Sequence, residues 1–96
     1  MVYFMVTVQK NRKKDCSGYE DYIRLVKPIV ERYGGKYLIR SDKVEALQEQ
    51  WQPDRVSVIA WDTQEQMTAC FSSEEYRCIA EKREKTVDSR AIIVEK

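Results

Sequence analysis

The chain has 96 residues, 43% of them hydrophobic, with 17 basic and 16 acidic side chains, which describes one small domain over residues 1–96, too apolar for disorder. Near-cancellation of charge argues against a surface field that collects nucleic acid or anionic lipid, and no apolar run approaches the roughly 20 residues that span a bilayer. There is no histidine, which removes histidine triads, histidine metal ligands and proximal-histidine haem ligation.

In chain order, Val2–Val8 is β-branched and aromatic and reads as a central strand. Val2, Phe4, Val6 and Val8 share one face, and Tyr3, Met5 and Thr7 the other. Because no basic segment precedes it, this stretch reads as a strand and not as a signal peptide. Residues 10–14 form a basic loop, best read as a solvated connection because nothing else continues the patch. Ser17 and Glu20 have capping-box spacing. Tyr19, Tyr22, Ile23, Val26, Ile29, Val30 and Tyr33 then recur at threes and fours, as one buried helix stripe. Pro28 lies inside that stripe and predicts a kink without a break.

Gly34 and Gly35 offer the left-handed residue that ends helices at low cost. Lys36–Arg40 starts a strand, and Ser41-Asp42-Lys43 turns it. Val44–Trp51 is expected to be a short edge strand with a polar side. Gln52-Pro53-Asp54 makes the next turn, before a strong strand at Arg55–Trp61. Thr63 and Gln66 form a second capping box, with Met67, Cys70 and Phe71 behind it. Ser72-Ser73-Glu74-Glu75 gives a third cap signal, so the second helical region should break near Ser72. Arg90–Val94 closes the chain as a strand. The order is β-α-β-(β)-β-α-β: α+β, a ferredoxin-like split βαβ (βαββαβ with an extra edge strand), an antiparallel sheet with two helices on one face. The other face then carries uncovered apolar side chains, which predicts a homodimer of facing sheets.

Several stretches together resemble the domain-of-unknown-function family 1330 of the dimeric α/β-barrel superfamily. They are the helix with Tyr19 and Tyr22, Tyr33-Gly34-Gly35-Lys36-Tyr37-Leu38-Ile39-Arg40, Trp51-Gln52-Pro53-Asp54-Arg55, and Phe71-Ser72-Ser73-Glu74-Glu75-Tyr76 followed by Arg83. The resemblance covers nearly the whole chain and implies a dimeric ferredoxin-like barrel. It also marks two departures. Ala60-Trp61-Asp62-Thr63 stands where such proteins usually read Glu-Phe-Pro-Ser, and Cys70-Phe71 where they read Trp-Tyr. Ala60 would then leave Arg40 without the acidic partner that the family's glutamate implies.

Arg40 is the leading candidate binding residue. It ends an apolar strand, at the edge of the uncovered face, and its guanidinium can hold a carboxylate or phosphate with two hydrogen bonds. An ion pair within the protein is the competing role. Tyr3, Tyr37 and Trp61 could wall the same space or simply belong to the core. Tyr76 and Arg83 lie seven apart on one helix face and could reach a cleft mouth. No catalytic residue is identified: Cys70 has no histidine to activate it, and carboxylate pairs, phosphate-binding glycine loops and metal-ligand spacings are missing. Neither a cofactor nor a metal is expected. Cys16, Cys70 and Cys78 are odd in number and widely spaced, as in a reduced, cytoplasmic protein. The expectation is a cytoplasmic homodimer holding a small anionic or aromatic molecule between its sheets, with neither nucleic acid nor membrane as a partner. The alternative is a non-catalytic interaction or regulatory module with a filled core.

Overall fold

β1 (Val2–Lys10) lies inside the sheet because its side chains are wanted on both faces. It pairs antiparallel with β3 (Arg55–Trp61) on one side and β4 (Val87–Glu95) on the other. β2 (Lys36–Ser41) adds to the outer edge of β3, giving the order β2-β3-β1-β4. The helices are α1 (Ser17–Arg32), α2 (Gln64–Ser72) and α3 (Glu74–Glu84). This is the expected α+β, ferredoxin-like architecture. The computed structural model describes residues 1–10, 17–84 and 86–96, with Ser17 by its backbone alone. The Ser17–Glu20 capping box and most of the basic loop therefore lie outside the described residues. No described helix is long and apolar enough to cross a membrane.

The added edge strand at Val44–Trp51 is absent; residues 42–54 are a loop. Long-range bonds to β1 take the place of a strand ladder. Asp54 N–H donates to the Val8 carbonyl at 2.7 Å, Lys10 N–H to Asp54 Oδ2 at 2.8 Å, and Gln52 N–H to Gln9 Oε1 at 3.2 Å. Trp51 lays its ring over the sheet, with Nε1 donating to Thr7 Oγ1 at 2.8 Å and the Arg90 guanidinium 4.3 Å from the ring centre.

α1 runs through Pro28 and buries or half-buries the whole expected stripe. It ends in a Schellman motif. Gly34, at φ +96°, donates to the Glu31 carbonyl at 3.1 Å, and Gly35 to the Val30 carbonyl at 2.9 Å. Gly34 is needed for its backbone angle and Gly35 for its space. A Cβ on Gly35 would meet Val30 Cγ1 at 2.6 Å and Trp61 Cη2 at 2.9 Å.

The predicted break in the second helical region occurs at Ser73. Its Oγ donates to the Cys70 carbonyl at 2.6 Å and accepts from Tyr76 N–H at 3.2 Å, ending α2 and capping α3. The Thr63–Gln66 capping box closes in both directions. All three helices cover one face of the sheet. Val2, Ile59 and Trp61 pack there against Val30, Met67, Cys70 and Ile79. The opposite face leaves Met5, Ile39, Ile92 and Val94 exposed.

Candidate functional site

Between the helix layer and the sheet lies a cavity of about 330 Å³. Strand register lays out its floor in three rows. Tyr37, Ile59 and Phe4 stand side by side; then Arg40, Ser57, Val6 and Ala91; then Arg55, Val8 and Ser89. α1 supplies Tyr19, Tyr22, Ile23 and Val26 to the roof, α2 supplies Phe71, and α3 supplies Tyr76 and Arg83.

Tyr37 and Arg40 reach this space together because of a β-bulge. Residues three apart on an unbroken strand point to opposite faces. Here Tyr37 pairs with Ile59 and Ile39 with Val58, so Leu38 is an extra residue and the alternation restarts after it. Arg40 therefore turns under the helices, correcting its expected place at the edge of the uncovered face. Its Cζ lies 5.1 Å from the Tyr37 ring centre, and Nη2 donates to the Ile23 carbonyl. That carbonyl lies next to a weakened part of the α1 ladder, since Pro28 has no N–H for Arg24 and its ring crowds that turn.

Four of the residues singled out from the sequence line the cavity: Arg40, Tyr37, Tyr76 and Arg83. Two do not. Tyr3 pairs with Ala60 and Val94 and lies on the opposite face of the sheet. Trp61 faces the helices but is fully buried in the core beside Gly35. Ala60 shares the face of Tyr3, so an acid at position 60 would point away from Arg40. Tyr19, Tyr22, Arg55, Ser57 and Ser89 also belong to the lining. Arg55 and Ser57 were detectable as polar residues in step with Ile59 along an otherwise apolar strand.

Arg83 is held from two sides. Its Nη1 donates to Ser89 Oγ at 2.5 Å, and its Cζ lies 6.0 Å from the Tyr22 ring centre. Burial works against the guanidinium charge, but the Tyr76 and Tyr22 oxygens more than offset this and keep its pKa above the ordinary arginine value. The Tyr22 and Tyr76 hydroxyls lie 3.0 Å apart. Burial, reinforced by Tyr76, pushes the Tyr22 phenol far above its usual range. Tyr37 is pushed up to about 12 by burial, against the pull of Arg40. Burial also raises Tyr19, against the opposing fields of Arg55, Arg83 and Arg40. No group of His, Cys, Asp or Glu among the described residues could hold a metal ion. What the lining can offer is guanidinium and hydroxyl donors beside aromatic walls.

The family model for the domain of unknown function (DUF1330) matches residues 2–96, and the chain belongs to that family. No curated protein matches the sequence. Among solved structures, a protein of unknown function from Rhodopseudomonas palustris superposes with a TM-score of 0.83 at 20% identity, over 99% of this chain and 81% of its own. SnoaB, a cofactor-independent oxygenase from Streptomyces nogalater, gives 0.67 at 12% identity, covering 99% and 91%. A dimeric ferredoxin-like protein of unknown function from Thermobifida fusca gives 0.69 at 11%, covering 99% and 90%. At these identities the likeness is one of fold.

Proposed function

We propose that this DUF1330 protein is a cytoplasmic homodimer that binds a small anionic, aromatic molecule in the cavity under the helices of each subunit. One observation carries the reading. Arg40, Arg55 and Arg83 line the cavity with Tyr19, Tyr22, Tyr37 and Tyr76, and no described lining residue is acidic. Guanidinium groups in a space partly closed to water favour an anion, and the rings favour a flat body. The volume reaches the lower end of ordinary ligand pockets, roughly 300 Å³. That favours a binding protein over a module with a filled core. The space lies within one subunit and not between two sheets, so the ligand and the partner subunit occupy opposite sides of the same sheet.

Native mass spectrometry of the purified protein tests both parts. The expected result is a dimer carrying a co-purified mass. Arg40→Ala should keep the dimer and weaken binding of a screened aromatic acid by about ten-fold or more, as loss of a charged hydrogen bond does; unchanged affinity removes Arg40 from the site. Dimer formation is supported by the exposed apolar sheet face, on which Ile39 is 50% and Ile92 59% exposed. Sedimentation as an 11.4 kDa monomer at micromolar concentration would refute it.

A further inference from the structure

The cavity lining is uneven. The row at Phe4 is apolar and aromatic, with Tyr37 and Ile59 beside it and Phe71 centred 4.9 Å from the Phe4 ring. Four residues further along β1, the row at Val8 has Arg55 on one side and Ser89 on the other. Neighbouring strands are about 4.8 Å apart, so the Arg55 and Ser89 backbones are separated by about 10 Å. Arg83 reaches into that interval from α3 to the Ser89 hydroxyl, and Arg40 flanks it from the middle row. All three guanidinium-bearing residues line the one cavity together with Tyr19.

Among the described residues, little neutralises them. The bonded partner of the Arg40 guanidinium is the neutral Ile23 carbonyl. Arg83 has Glu84 at 4.0 Å, a side chain 64% exposed and therefore mostly paid in solvent-screened charge. Glu20 is exposed and sits 3.8 Å from Lys10. A single carboxylate in the cavity would leave two of the three arginine charges unanswered, whereas a tetrahedral dianion presents acceptors in several directions and matches guanidinium geometry.

Building on the binding reading above, we propose that the ligand is an aromatic phosphate monoester or phosphonate. Its dianionic head lies among Arg40, Arg55 and Arg83, and its ring lies against Phe4, Ile59 and Phe71.

Calorimetric titration of the full-length protein at fixed ionic strength tests this, with 1-naphthyl phosphate, 1-naphthoate, 1-naphthol and inorganic phosphate as probes. Naphthyl phosphate should bind at least about ten-fold more tightly than naphthoate, the worth of one further charged hydrogen bond. Arg55→Met should remove that advantage and leave naphthol unchanged, and Arg55→Lys should fall between. Should Arg55→Met fail to fold, Arg55→Lys alone decides, through a selective loss for the phosphate. Phe71→Leu should weaken naphthyl phosphate but not inorganic phosphate. Equal affinity for naphthoate and naphthyl phosphate, or equal losses for phosphate and naphthol in the Arg55 variants, overturns the dianion while the binding reading stands. Inorganic phosphate binding as tightly as naphthyl phosphate overturns the ring's place. If no probe binds, both readings fall.

Discussion

The two ends of the helix–sheet interface are built from the same layers and behave in opposite ways. At the Gly35 end the layers touch: a single added methyl would lie 2.6 Å from Val30 and 2.9 Å from Trp61. At the Arg55 end they leave about 330 Å³ open. Side-chain anchoring accounts for the difference. Val30, Trp61 and Cys70 have nothing to do but pack, and they are fully buried. Arg40 and Arg83 are instead held along the cavity walls, by the Ile23 carbonyl and by Ser89. Long side chains that could fill the space are held to its sides.

The comparison can be broken most severely at the packed end. Trp61→Ala should cost about 3–5 kcal/mol, the range for large aromatic truncations in cores, read as a lowered denaturant midpoint. Gly35→Val should cost about 1–3 kcal/mol through overpacking, because the atoms it meets are themselves buried. A smaller loss in either variant would mean that this end can relax. At the hollow end the effects should be smaller. Tyr22→Phe removes the bond to the Tyr76 hydroxyl and should cost about 1 kcal/mol.

Alkaline pH sharpens the contrast further. Tyr22 and Tyr37 stay protonated in the folded protein above the ordinary phenol value near 10. Between pH 10 and about 12 the unfolded chain therefore binds fewer protons than the folded one, and stability falls as pH rises. Below pH 10 these groups should contribute no slope. Thermal unfolding of Tyr37→Phe across that window should show a shallower decline; an unchanged decline would mean that this phenol is not protected. A last, smallest test uses the thiols. Cys78 is exposed and should react with a thiol reagent in the native state, whereas Cys70 is buried, with a pKa pushed up to about 11, and should react only on unfolding.

What could be read from the sequence divides along similar lines. Local signals were enough for the α1 stripe, the Thr63–Gln66 box and the break at Ser73, because each depends on neighbours a few residues away. Val44–Trp51 looked like a strand by local composition. Its flanking loop is instead held by bonds from Asp54, Gln52 and Trp51 to β1, more than forty residues earlier, and no local pattern reports these. Arg40 was identifiable as a functional candidate, but its direction was not. One extra residue at Leu38 reverses it, and such a bulge depends on how β3 pairs alongside. Arg55 and Ser57 were visible as polar beats in an apolar strand, yet only the placement of the helices shows which face those beats occupy.

β1 separates the cavity from the open face, and its residues alternate between them: Phe4, Val6 and Val8 toward the helices, Tyr3, Met5 and Thr7 away. One strand thus serves as a shared partition. A mutational scan along it should give a two-beat phenotype, with even positions altering the proposed small-molecule retention and odd positions the proposed self-association, so that a single library tests both proposals separately.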